Sequence, residues 1–171
     1  FKFDLNFDTI YVKEFFGSPD SSNYFLSVSE LSDKSYQIAG VTSSFGAGAA
    51  DAWFLNTDKN GKMNWQKTFG GAGVDFGSLL APYLNGFIGG WYYWDYNGAI
   101  FDQNIINMDN NGNVKWLKKF GSPEGKDAGG PVLANKDKGF VVYTKIDTAT
   151  DHNSKLDPIV IHKLDSNGNV I

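Results

Sequence analysis

The sequence predicts an all-β protein, an array of four-stranded antiparallel sheets built from one repeated unit. Three observations predict it. A segment of about 52 residues recurs, with a period in the range of repeat arrays: DAWFLNTDKNGKMNWQKTFGG starts at Asp51, DQNIINMDNNGNVKWLKKFGS at Asp102 and DPIVIHKLDSNGNVI at Asp157. Each of these copies carries a D-x-N-G turn between two apolar-rich stretches. That turn closes tight hairpins, because Asn and Gly tolerate positive φ and Asp hydrogen-bonds its own loop backbone. Finally, no stretch sustains a 3.6-residue apolar period, so helix is expected to be close to nil.

Within a unit the elements follow in order. The first strand is read at 54–58, 105–109 and 159–165, and the second, after the Asn-Gly turn, at 63–69 and 114–120. A Phe-Gly corner follows at Phe16-Gly17, Phe69-Gly70 and Phe120-Gly121. The third strand is expected at 24–31, 76–84 and 128–135, and the fourth at 35–43, 86–94 and 139–146. Four short strands in each repeat is the make-up of a β-propeller blade. The expectation is therefore a single β-propeller-like domain over 1–171, with full repeats at 1–50, 51–101 and 102–156 and a partial one at 157–171.

The string from Asp51 to Gly71, followed by Asp75 and then a Gly-Phe strand, resembles the propeller-type repeats of bacterial and archaeal secreted or cell-surface proteins. There the unit runs approximately D-x-W, then LD-x-x-G-N, W-x-K-x-[YF]-G-G, an Asp, and G-G-[YF] leading to Ala-Gly. The likeness covers nearly the whole chain and implies a secreted or surface location. It implies little about activity. The first copy departs from it, with no Asn-Gly turn and Val12 where the others carry Trp65 and Trp116. Phe1 to Asp4 corresponds to a first strand and Ile171 falls early in a second strand, so the two ends duplicate one another. The expectation is an arc of a larger ring, completed by the remainder of a longer chain or by a homo-oligomer, because an open sheet edge invites strand addition.

Composition narrows the function classes. A net charge of -4 with 15 scattered Lys and Arg gives no footprint for a nucleic-acid backbone. No cysteine is present, which removes disulfides, thiolate metal sites and cysteine nucleophiles. No apolar run reaches the ~20 residues a membrane helix needs, and FKFDLNFD lacks a signal-peptide profile. The start at Phe1 suggests a processed product or a fragment. Catalysis has little to draw on, with two histidines and no G-x-S-x-G elbow. The reading is a non-enzymatic structural or binding module without a cofactor, and part of a propeller hydrolase is one alternative.

Two sets of residues stand out as candidate sites. Asp51, Asp102 and Asp157 recur at the start of each unit, and Asp75 and Asp127 recur after the Phe-Gly corner. Their plain role is to cap loops by accepting backbone N–H bonds. The alternative is calcium, which takes six to eight oxygens in loose geometry, as in an adhesion module. The second set is Trp91, Tyr93, Trp94, Asp95, Tyr96 and Asn97, an aromatic excess that the other copies lack. Strand alternation puts Trp91 and Tyr93 on one face and Tyr92 and Trp94 on the other. The plain reading of the cluster is packing between sheets, with at least one pair in the core; the alternative is that Trp94 and Tyr96 emerge into the following loop and offer a flat platform for a sugar ring, with Asp95 and Asn97 reaching its hydroxyls. A protein or glycan ligand follows as the expected partner.

Overall fold

Short strands joined by tight turns run in sequence through the whole described chain. The computed structural model describes residues 2–15, 17–94, 101–121, 128–135, 138–145 and 159–171. The first sheet holds β1 (Lys2–Phe3) and β2 (Thr9–Tyr11). The second holds β3 (Asn23–Glu30), β4 (Tyr36–Thr42), β5 (Asp51–Thr57) and β6 (Met63–Phe69). The third repeats it with β7 (Val74–Pro82), β8 (Gly86–Trp94), β9 (Phe101–Asp109) and β10 (Val114–Phe120). The fourth holds β11 (Ala128–Ala134), β12 (Phe140–Lys145) and β13 (Ile159–Leu164), with a bridge from Leu164 to Val170. All strand pairs are antiparallel neighbours in sequence. The all-β expectation holds, and among the described residues no helix is long and apolar enough to cross a membrane.

The sheets are phased half a unit away from the sequence repeats. Each takes the third and fourth strands of one repeat and the first and second of the next, since β4 pairs with β5 across the boundary at 50 and 51. The expected strands are present at 63–69, 86–94 and 114–120, but a repeat contributes to two sheets. The repeat is thus a linker between layers as much as a layer.

Turn chemistry explains the Asp and Gly of the motif. Asp58 Oδ1 accepts the N–H groups of Asn60 and Lys62 at 2.8 and 2.9 Å, and Gly61 lies at φ 76°. Asp109 and Asp165 do the same, with Gly112 at 80° and Gly168 at 77°. The first copy makes the same turn, contrary to the expectation from sequence. Asp4 Oδ1 accepts from Asn6 and Asp8 at 2.8 and 2.9 Å, and Phe7 takes the left-handed place of glycine at φ 64°.

Consecutive sheets stack face to face. Phe54 and Ala52 of the second sheet pack with Phe87, Trp91, Ile106 and Met108 of the third. Ile88 and Ile105, on the other face of the third, pack with Val132, Phe140, Val142 and Leu164 of the fourth. The strands β3, β7 and β11 approach one another in series. β5, an interior strand of the second sheet, is buried at every residue instead of alternating, because the third sheet covers Phe54 on one face and Phe25 and Phe45 pack on Trp53 on the other.

A side-chain clasp joins the outer strands to the next sheet. The Trp65 indole donates to the Asn110 carbonyl at 2.8 Å, and Trp116 to the Ser166 carbonyl at 3.0 Å. A Cβ on Gly112 would lie 3.0 Å from the Trp65 ring, and one on Gly168 3.1 Å from Trp116. The turn glycine therefore supplies both a left-handed backbone and the flat surface on which the indole rests. In the first copy the clasp belongs to Tyr11, whose hydroxyl donates to the Lys59 carbonyl at 3.3 Å. Alignment on Phe-Gly puts Val12 at that place; alignment on the turn shows it to be Tyr11.

Candidate functional site

The third sheet carries a cleft that joins the two sets of residues singled out in the sequence. Strand register builds it. Asp75 on β7, Tyr93 on β8 and Asp102 on β9 lie side by side, and the next row contains Trp91, Asn104 and Lys119. Positions two apart on each strand share a face, so these side chains point toward the end of the second sheet. Phe69 at the end of β6, with Gly70 and Gly71 just after it, closes the cleft from that side, and Leu117 completes an apolar wall. Its volume is about 390 Å³.

Each polar group has a defined partner. Asp75 is buried, and its carboxylate accepts the Gly71 N–H at 2.8 Å and the Trp91 indole N–H at 3.0 Å. Burial pushes its pKa above the ordinary carboxylate value, against those two hydrogen bonds, and the neighbouring Asp51 charge adds to the rise. Asp102 is buried and paired with the exposed ammonium of Lys119 at 2.6 Å. Trp91 is held by Asp75 and by tilted contact with Phe69 at 5.5 Å. Tyr93 is half-buried, with its ring edge beside Gly71. An aromatic wall next to an Asp–Lys pair and an Asn can take a ligand that has both an apolar face and hydroxyl groups.

The recurring aspartates divide by role. Asp75 caps a loop as expected, and Asp51 receives the Gly48 N–H at 3.2 Å. Asp102 is an ion-pair partner in the cleft. Asp51 Oδ1 is buried with no hydrogen-bond partner among the described residues. A Cβ on Gly70 would collide with it and would lie 2.6 Å from Asp75 Oδ2. Two carboxylates thus press on one glycine, which explains the Gly after the Phe of the corner. Among the described residues no three Asp, Glu, His or Cys side chains gather where they could hold a metal ion.

Asp127 and Asp157 lie outside the described residues, as do Asp95, Tyr96 and Asn97. Trp94 ends β8, paired with Val74 and Phe101. Of the aromatic set, the structure brings Trp91 and Tyr93 to the cleft and stacks Tyr92 on Phe76, 5.2 Å away on the opposite face. Sequence reading missed Asn104, Leu117 and Lys119. Alternation along 114–120 places Leu117 and Lys119 on one face, but only the pairing of Lys119 with Asn104 sets them opposite Trp91.

At the corresponding positions the second sheet carries other residues, Asn23, Thr42, Gly40 and Trp53, and Asn23 is tied into a hydroxyl network with Thr42 and Ser44. Compared with known proteins, the chain matches no family model and no curated protein sequence.

Proposed function

We propose that the chain is a non-enzymatic, propeller-type repeat module of a secreted or cell-surface protein, and that the third sheet binds a carbohydrate. The cleft of Trp91, Tyr93, Asp102, Asn104 and Lys119 is the observation that carries the carbohydrate reading. A pyranose ring presents a C–H face to an aromatic side chain, while carboxylate, ammonium and amide groups exchange hydrogen bonds with its hydroxyls. The propeller reading draws support from sheets stacked in series, from the approach of β3, β7 and β11 to one another and from the repeated tryptophan clasp. Partners that complete such an array are further sheets of the same type.

Tyr93→Ala tests the carbohydrate reading, because Tyr93 is half-buried and its loss leaves the packed Trp91 in place. Calorimetric titration with neutral and acidic oligosaccharides is expected to show affinity reduced about tenfold, the equivalent of one aromatic contact. Lys119→Ala is expected to act more strongly on acidic sugars than on neutral ones. Equal affinity in Tyr93→Ala and the parent would remove the cleft as the site. The calcium alternative predicts that chelation abolishes sugar binding in the parent chain.

A further inference from the structure

We infer that Asp51 and Asp75 hold a calcium ion that ties the second sheet to the third. The ion bonds protein oxygens of two sheets, whether or not the cleft takes a sugar. Asp51 opens β5 and Asp75 stands second in β7, and the two sheets meet here where the Asp75 N–H donates to the Ala50 carbonyl at 2.7 Å. Both side chains are buried, at 1% and 2% exposure. Their oxygens converge beside Gly70, where a Cβ would collide with Asp51 Oδ1 and lie 2.6 Å from Asp75 Oδ2.

Asp51 Oδ1 meets no hydrogen-bond donor among the described residues. Its sister Oδ2 takes the Gly48 N–H, and both oxygens of Asp75 are met, by the Gly71 N–H and the Trp91 indole. A buried charge without a partner is costly, and a second carboxylate on the same spot adds repulsion. Neither aspartate has an ion-pair partner among the described residues. The third sheet shows what the second lacks. Asp102, the matching residue of the following repeat, is neutralised by Lys119 at 2.6 Å. Lys119 pairs with Asn104 on β9, and the residue that pairs with Trp53 at the same place on β6 is Thr68. The second sheet thus keeps the aspartate without its lysine, while Asp75 brings a further negative charge where the second sheet has Asn23. One divalent cation balances the two carboxylates.

Calcium fits the oxygens that surround the pair. It accepts carboxylate and main-chain carbonyl ligands in loose geometry, whereas magnesium demands a near-ideal octahedron and keeps its waters. The adjoining loops supply carbonyls. A Cβ on Gly48 would collide with the Gly71 carbonyl oxygen and lie 2.5 Å from that of Gly73, and Gly48 is the residue whose N–H reaches Asp51. Two acidic side chains suffice where main-chain oxygens complete the set. Gly70, Gly71 and Asp75 line the cleft of the third sheet, which gives the ion a path from solvent.

Thermal denaturation of the parent chain, stripped with chelator and then titrated with calcium chloride, tests the site. The midpoint is expected to rise by about 5–10 °C once calcium exceeds its dissociation constant about a hundredfold, and magnesium chloride is expected to leave it in place. Asp51→Asn keeps the shape of the side chain and removes its charge, and its midpoint is expected to ignore calcium. Thr68→Lys gives the second sheet the ammonium that Asp102 has in the third. It is expected to raise the midpoint in chelator and to remove most of the calcium response, and it carries the test should Asp51→Asn fail to fold. A response as large as the parent's in either variant places calcium elsewhere and overturns the site. A parent midpoint that calcium does not move overturns it too, and one that instead falls as pH rises means that the pair shares a proton in place of the ion. An equal response to magnesium overturns calcium as the ion.

Discussion

Phe7 shows how one residue bears the strain of an altered motif. It holds φ 64° where the sister turns use glycine, and its side chain is 85% exposed. A side chain in the left-handed region costs about 1–2 kcal/mol, and exposure returns little burial in exchange. Phe7→Gly is therefore expected to stabilise the chain by about 0.5–1 kcal/mol, after the larger unfolded-state entropy of glycine is deducted; chemical denaturation measures it. Asp75 acts with pH. Its folded pKa is raised by burial and by the Asp51 charge, so the unfolded chain releases its proton first as pH climbs. Its contribution is present below the ordinary carboxylate value of 3.8 and is lost as pH rises from there through the raised folded value. Asp109 has the opposite sign. Burial raises its pKa, but hydrogen bonds from Asn113 and Asn111 outweigh that and lower it, so its contribution fades as pH falls below 3.8. Asp75→Asn is expected to remove the loss on the alkaline side of 3.8 and leave the acid limb unchanged, read from denaturation midpoints across pH.

At the scale of the element, the hairpin turn and the preceding tryptophan form one joint. Trp65→Phe keeps a ring on Gly112 but leaves the Asn110 carbonyl without its indole donor. A lost hydrogen bond of this kind costs about 1–2 kcal/mol, and the denaturation midpoint should fall accordingly. The strands and their turns were legible in the sequence because period-2 patterning and Asn-Gly are local signals. Strand pairing across residues 50 and 51 was not, since nothing local distinguishes a partner in the same repeat from one in the next. The same limit hid Asn104 and Lys119, which reach Trp91 only through the register of β8, β9 and β10. Tyr11 was hidden differently. The Phe-Gly corner of the first copy is offset by one residue from its turn, so an alignment on the corner lands on Val12.

Over the whole molecule, burial is concentrated in the middle sheets and runs out at both sides. β5 is buried throughout, while β3 and β13 keep one open face each. The clasp adds direction. Tyr11 reaches the turn at Lys59, Trp65 the turn at Asn110, and Trp116 the turn at Ser166, always forward along the chain. A repeat that contains both the reaching ring and a receiving turn is a word that can follow any other copy of itself. Gene duplication can then lengthen such a sentence one word at a time, and its length is written in no single word.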